Sequence, residues 1–195
     1  KMNQTYMKEK KIFPLVMSMA LPMMLSMAFN SLYNIVDSYF VAKLSEDAMT
    51  ALSLVYPAQN LLTAVAVGFG VGVNAMISFY LGAQNQEKAD KTATQGIVLG
   101  VLHGVLLMLL FLCGMNWFLG MFTKSDAVRA LGMEYSNVVF LFSVIVTGGI
   151  TLEKIFQAVG RMRATMVSMI AGFVTNIVLD PLLIFGIGPF PRMEI

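Results

Sequence analysis

The sequence predicts an all-α integral membrane protein, a bundle of about five transmembrane helices with its N-terminus in the cytoplasm. Apolar residues make up 57% of the 195 positions and charged residues only 12%, and the mean hydropathy is +0.75. Soluble domains do not reach these values. The apolar residues also group into segments of roughly 20 or more, the length that crosses a hydrocarbon core of about 30 Å. Because these segments are long and do not alternate, helices are predicted rather than barrel strands.

The apolar segments define five spans. Residues 1–12 form a cytoplasmic N-terminal segment, and residues 13–195 form one transmembrane unit. The spans, numbered in chain order, cover about residues 13–41, 50–81, 95–121, 134–155 and 163–187. Their short connections favour antiparallel packing of neighbouring spans. A cleaved signal peptide is the alternative for the first span, but its apolar stretch is too long and four more spans follow.

Positive charge orients the bundle, because cytoplasmic loops retain Lys and Arg. Nine such residues lie on the predicted cytoplasmic side: Lys1, Lys8, Lys10, Lys11, Lys88, Lys91, Lys154, Arg161 and Arg163. Four lie on the opposite side: Lys43, Lys124, Arg129 and Arg192. This asymmetry places the N-terminus in the cytoplasm and, after five crossings, residue 195 outside. The net charge of +2 is too small and too scattered to indicate a nucleic-acid partner.

Glycines spaced four apart predict close helix packing on two spans. Gly96, Gly100 and Gly104 share one face of the third span, and Gly68 and Gly72 have the same spacing on the second. Small residues at this spacing let the backbones of membrane helices approach each other. We therefore expect both faces to contact neighbouring helices.

Three prolines predict kinks or breaks within the spans. Pro22, Pro57 and Pro181 each lie inside an apolar segment. Each proline removes one backbone hydrogen bond and crowds the carbonyl group four residues earlier. Pro22 in the first span and Pro181 in the fifth are therefore candidate hinges.

Two aspartates lie in apolar spans, where an ionised side chain costs about 2.5 to 3.5 kcal/mol. Asp37 ends a polar stripe on the first span, and Asp180 ends one on the fifth. The helical repeat of 3.6 residues places the members of each stripe on one face. The first stripe contains Ser26, Asn30, Tyr33, Asn34 and Asp37, and the second contains Gly172, Asn176 and Asp180. Because lipid would not solvate these groups, we expect both stripes to face the bundle interior.

These polar groups suit a proton or a hard monovalent cation. Pro181 denies the Ile177 carbonyl its helical partner, which leaves that oxygen free near Asn176 and Asp180. Carboxylate, amide and carbonyl oxygens would bind sodium at Asp37, Asn176 and Asp180, and two neighbouring carboxylates could instead share one proton. A satisfied structural hydrogen-bond network and a carboxylate near the outer headgroups are the alternatives.

Two further titratable residues are possible cavity residues. Glu153 ends the fourth span on the cytoplasmic side and is followed directly by Lys154, so a local ion pair is the alternative to a cavity-lining proton acceptor. His103 lies in the middle of the third span. It could relay protons, although a hydrogen-bonded packing role is more usual. The 17 Met residues are mostly packing, and some could form an adaptable surface for apolar cations.

Four motifs resemble the N-terminal lobe of multidrug and toxic compound extrusion (MATE) family transporters. The first is "LPMMLSMAFNSLYNIVDSYFVAKL" and the second is "GVNAMISFYLGAQNQEKA". The third is "FQAVGRMRATM", at the start of the fifth span. The last and most specific is "NIVLDPLLIFGIGPFPRM", which carries Asn176, Asp180 and Pro181. Glu194 departs from the family pattern, which commonly has Gly at that position.

The resemblance implies twelve helices in two six-helix lobes around a central cavity, in the cell membrane. It implies an antiporter that exports organic cations in exchange for protons or sodium, with no cofactor besides that coupling ion. Asp37 with Tyr33, and Asn176 with Asp180, match the coupling site of the N-terminal lobe. The matched part lacks the sixth helix and the C-terminal lobe, which are expected as partners from the same protein, together with membrane lipids and small organic cations.

Two other functions remain as alternatives. An exporter of lipid-linked or polysaccharide precursors shares the fold but needs a cationic cavity, and the spans contain few Lys or Arg. An intramembrane aspartyl protease could use two aspartates that share a proton. However, Asp37 lacks a preceding Tyr and Asp180 lacks a "GxGD" context. The sequence therefore favours a transporter over an enzyme.

Overall fold

The computed structural model describes residues 11–43 and 45–186, and the regular elements within these ranges are six α-helices. They are α1 (Ile12–Ala42), α2 (Glu46–Gly82), α3 (Gln86–Phe122), α4 (Asp126–Leu141), α5 (Ser143–Ala158) and α6 (Met162–Phe185). The predicted all-α class is confirmed. Most of the N-terminal segment, the end of the fifth span, Arg192 and Glu194 lie outside the described residues.

Four of these helices, α1, α2, α3 and α6, are long and apolar enough to cross a membrane, and α4 and α5 qualify as a fifth span when taken together. The axes of α4 and α5 differ by 47°, and the chain leaves helical geometry at Phe142. Of the kinks or breaks expected at the prolines, breaks do not occur, because α1, α2 and α6 continue through Pro22, Pro57 and Pro181. A kink at each proline stays a prediction. The break in the fourth span therefore has no proline.

Three helices begin before the apolar segments predicted for them, and each begins at a polar capping residue. The side-chain oxygens of Ser45, Asn85 and Ser125 accept hydrogen bonds from backbone N–H groups in the first turns of α2, α3 and α4. Such caps satisfy donors that a helix start leaves unpaired. The helices α2 and α3 each contain 37 residues, about 55 Å at 1.5 Å per residue. They are longer than the roughly 30 Å hydrocarbon core, so they extend beyond it.

The helices α2 to α5 form the packed part of the molecule. A buried apolar cluster joins α2, α3 and α4, with Val55, Met115, Leu119 and Phe140 at its centre. The rings of Phe111 and Phe140 stack with centroids 4.3 Å apart. By contrast, α1 packs mainly along α6, and this pair contacts α2 and α5 only lightly. The first and last helices therefore form a pair beside a four-helix core.

Only one of the two predicted glycine faces is a contact. A methyl group added at Gly96 would lie 2.7 Å from Val73 on α2, and one added at Gly104 would lie 2.8 Å from the Cα of Val144 on α5. The expectation for Gly68 and Gly72 is wrong, because an added methyl group there has nothing within 4 Å.

Gly104→Ala is expected to lower the melting temperature of the full-length protein in detergent. The new methyl group would press on the Val144 backbone, which cannot rotate away, and overpacking of this kind costs about 1 to 3 kcal/mol. Gly68→Ala is the matched control. It should leave stability unchanged or raise it by up to about 1 kcal/mol, because Ala favours helix more than Gly. Equal melting temperatures for the two variants would contradict the assigned contact.

Candidate polar site between the first and last helices

The contact between α1 and α6 brings the two predicted polar stripes together. Asp37 and Asp180 are half-buried and close enough to interact electrostatically. Tyr33 on α1 lies within hydrogen-bonding reach of the Asn176 amide on α6. The ring of Tyr33 also stacks on Phe173, with centroids 6.0 Å apart. Four predicted site residues therefore meet at one place.

One oxygen at this place is buried and unpaired. The Asp180 Oδ2 atom has no hydrogen-bond partner among the described residues. A buried acceptor without a donor is costly, and the cost is greatest for a charged group. A proton on this oxygen, or a cation beside it, would remove the cost. The donor set of two carboxylates with amide and phenol oxygens fits a proton or a sodium ion.

Asn34 does not share the geometry of its neighbours on α1. Its side chain is exposed and directs its Nδ2 donor along the helix, to the backbone oxygen of Asn30 at 2.8 Å and to the Asn30 Oδ1 at 3.2 Å. The Asn34 amide group therefore donates its hydrogen bonds within α1. Among the described residues, Asn34 has no hydrogen bond to either acid.

Two residues that the sequence reasoning missed complete the site from the core. Tyr135 on α4 interacts electrostatically with Asp37, Tyr33 and Asp180. Gln59 on α2 donates a hydrogen bond from Nε2 to the Tyr135 hydroxyl oxygen at 3.0 Å. Because Gln59 is the donor, the phenolic proton of Tyr135 is free to point to another acceptor. Both are polar residues inside apolar spans, which indicates an interior position but not a position beside the acids.

The two possible cavity residues lie away from this site. Glu153 Oε1 pairs with Lys154 Nζ at 3.0 Å, as the local alternative expected, and it also lines a cavity. His103 contacts the Leu99 backbone oxygen through Nδ1 at 2.7 Å, and its ring packs on Phe69 with centroids 4.7 Å apart. These contacts fit a hydrogen-bonded packing role for His103.

A divalent metal centre has no counterpart in the described part of the chain, where no three His, Cys, Asp or Glu side chains come together. The acids at the polar site form a pair only. A pair of carboxylates suits a singly charged ion better than the larger oxygen sets typical of calcium.

Comparison with known proteins identifies the family. The family model described as MatE matches residues 22–182, which contain both stripes and all six polar-site residues. The chain belongs to the MatE family. The MATE resemblance of the four motifs is therefore confirmed, and the MatE relatives are multi-pass membrane transporters rather than enzymes.

Individual MatE relatives match nearly the whole chain but less than half of their own length. The multidrug export protein MepA of Staphylococcus aureus is 31% identical over 182 residues, which are 93% of this chain and 40% of MepA. A solved outward-facing multidrug resistance MATE transporter matches with a TM-score of 0.86 and 27% identity, over 90% of this chain and 39% of that one. A MOP superfamily transporter from Pyrococcus furiosus matches with a TM-score of 0.85, 27% identity and the same coverage.

Proposed function

We propose that the protein containing this chain is a secondary antiporter that exports small organic cations in exchange for protons or sodium ions. The proposal rests on the meeting of Asp37 with Asp180, whose buried Oδ2 has no hydrogen-bond partner among the described residues. Two acids in one membrane bundle are costly unless an ion or proton neutralises them. The name of MepA as a multidrug export protein supports drug-like substrates. The chain spans about 40% of these relatives, so the transport path requires further chain.

The chain's own residues would couple the ion to movement. A proton or sodium ion at Asp37 and Asp180 removes the charge that holds water beside the α1–α6 pair, and Asn176 and the carbonyl group freed by Pro181 supply further oxygens. Because this pair contacts the four-helix core only lightly, it can move as a unit. Pro22 and Pro181 are the proposed points of bending.

Export of lipid-linked or polysaccharide precursors is a less well supported alternative, because anionic substrates need a cationic cavity. The described cavity contains Lys154, but its charge is balanced by Glu153. The Pyrococcus furiosus transporter is described as having a binding pocket of reversed polarity that suggests a different function. No net positive charge of this kind occurs at the described cavity of our chain.

Reconstituted full-length protein is expected to export ethidium from liposomes under at least one of two conditions, a pH gradient imposed alone or a sodium gradient imposed alone. Export in sodium-free buffer with a pH gradient indicates a proton at the acid pair, whereas export that begins only on addition of sodium indicates sodium. An ionophore that collapses the active gradient is the control and should stop export. Absence of ethidium export under both gradients would contradict the proposed function.

A further inference from the structure

The side chain of Arg129 on α4 lies against α3 at the predicted outer end of the bundle. Its Nε donates a hydrogen bond to the Asn116 Oδ1 at 2.9 Å, and its Nη2 donates to the Asn116 backbone oxygen at 3.3 Å. Gly120 lies one turn further along α3, and a methyl group added there would lie 3.5 Å from the guanidinium carbon. Asn116 and the uncovered backbone at Gly120 therefore hold the guanidinium group on the surface of α3.

The charge of Arg129 has no carboxylate within ion-pair distance in residues 11–43 and 45–186. The nearest acid along α4 is Asp126, one turn earlier, which is exposed. A guanidinium group has five N–H donors, and Asn116 accepts from two of them, so three donors remain. Their planar fork matches the oxygens of a phosphate group. Lys124, in the short connection between α3 and α4, adds a second positive charge to this corner.

The depth of Asn116 along α3 matches the depth of lipid phosphate groups. The polar first turns of α3 end at Gln95, and Asn116 lies 21 residues further along. At 1.5 Å per residue this is about 31 Å, close to the roughly 30 Å of the hydrocarbon core. Trp117 is 71% exposed, and tryptophan is typical of the boundary between hydrocarbon and headgroups. The guanidinium group of Arg129 therefore lies at the headgroup level.

An exposed apolar stripe leads from this level into the membrane. Residues that alternate between spacings of three and four share one face of a helix. This spacing continues from Gly120 and Asn116 toward the start of α3 through four exposed apolar residues, which are Cys113, Leu109, Leu106 and Leu102. The stripe is the length of an acyl chain or longer, and its outer end lies beneath Arg129.

We propose that Arg129 binds the phosphate group of an anionic phospholipid in the outer leaflet, with an acyl chain of that lipid along the exposed stripe of α3. A zwitterionic headgroup would bring a cationic amine beside Arg129 and Lys124, whereas an anionic headgroup adds no such repulsion. A soluble phosphate would satisfy the guanidinium donors but would leave the stripe uncovered. The site involves α3 and α4 only, so it is separate from the acid pair on α1 and α6.

Equilibrium binding of phosphatidylglycerol to the full-length protein in detergent, counted by native mass spectrometry, tests this inference. Arg129→Gln removes the charge, so the Kd should rise about tenfold or more. Lys43→Gln is the matched control, because Lys43 is a cation at the predicted outer end of α1, with its Nζ 4.4 Å from the Tyr39 ring centroid. Its Kd should stay within about twofold. An unchanged Kd in Arg129→Gln would overturn the proposal.

Phosphatidylcholine tests the preference for an anionic headgroup. It should bind the unaltered protein about tenfold or more weakly than phosphatidylglycerol, because its amine is repelled by the two cations of the corner. Inorganic phosphate at the same concentration as the lipid should not displace it. Equal Kd values for the two lipids would overturn the anionic assignment, and displacement by inorganic phosphate would overturn the lipid as the ligand.

Two further variants test the geometry of the site while they keep its charge. Arg129→Lys replaces the planar fork by a point charge, so the Kd for phosphatidylglycerol should rise about threefold or more. Asn116→Ala releases the guanidinium group from α3 and should raise the Kd about threefold, because the group is no longer held in place before binding. If Arg129→Gln does not fold, these variants decide the outcome, and unchanged Kd values in both would overturn the proposal.

Phosphatidylglycerol with brominated acyl chains locates the bound lipid, because bromine quenches indole fluorescence at short range. Trp117 is the single Trp of this chain, and it lies next to Asn116. The fluorescence lost on lipid binding should therefore be largely absent in Trp117→Phe. Equal quenching with and without Trp117, as expected if another part of the full-length protein covers this face, would overturn the proposal.

Discussion

Asp37→Asn and Asp180→Asn, introduced one at a time in the full-length protein, are each expected to abolish ion-driven export while leaving the protein folded in the membrane. Asparagine keeps the shape of the side chain but cannot take up a proton and binds a cation more weakly. In both variants, the remaining acid loses the partner that it faces across α1 and α6. We expect export to fall at least about 100-fold, which corresponds to about 2.7 kcal/mol.

Ethidium export from proteoliposomes measures this effect, and the amount of protein inserted is measured alongside it. Asp126→Asn is the matched control, because Asp126 is an exposed acid in the first turn of α4. It should change export less than about twofold, since surface substitutions away from special contacts usually have small effects. Normal export by either membrane-embedded variant would show that the acid pair does not couple the ion.

Tyr135→Phe is expected to reduce export about tenfold at unchanged protein level. The substitution removes the hydroxyl group that accepts from Gln59 and faces Asp37 and Asp180. A hydrogen bond between neutral groups, such as that from Gln59, contributes about 0.5 to 1.5 kcal/mol, and the upper end of this range corresponds to roughly tenfold in rate. The lost group is neutral, so the effect should be smaller than that of either aspartate variant.

Tyr39→Phe provides the control for the loss of a phenol hydroxyl, because Tyr39 is exposed on the same helix as the polar stripe. Initial rates of ethidium export at matched protein levels should be near normal for it. Gln59→Leu should lower the rate in the same direction as Tyr135→Phe, because the phenol loses the donor that orients it. Equal export rates for the Tyr135 and Tyr39 variants would contradict the assignment of Tyr135 to the polar site.

The sequence was enough to predict the helical class and that the two aspartates face each other. Both predictions follow from the free-energy cost of placing unpaired backbone groups or charges in lipid, which does not depend on how the helices pack. Apolar length predicts a span, and an aspartate inside a span must find a polar environment. The helix starts were harder to predict, since α2 and α3 extend past the apolar segments on capped, polar turns. The break at Phe142 has no proline, so the proline positions in the sequence do not predict it.

Contacts between helices distant in the sequence were the least predictable feature. Gly68 and Gly72 have the same spacing as the glycines of α3, yet the helix face that meets α5 carries Gly70 instead. Spacing identifies a possible contact face but does not determine which neighbour covers it. Tyr135 and Gln59 were missed for the same reason, because only the assembled bundle brings α2 and α4 to the acids.

The pairing of α1 with α6 also means that α1 must wait for its partner helix during synthesis. α1 leaves the ribosome before α6, and about 120 residues must follow Ala42 before α6 begins at Met162. At roughly 5 to 20 residues per second, this takes roughly 6 to 24 s. During that interval Asp37 and its polar stripe lie in the bilayer or the insertion machinery without the helix that shields them. Until α6 is inserted, α1 therefore needs another protein, such as the insertion machinery, to shield its polar stripe. A mutation that slows α6 insertion would expose the nascent chain to membrane quality control before any transport defect arises.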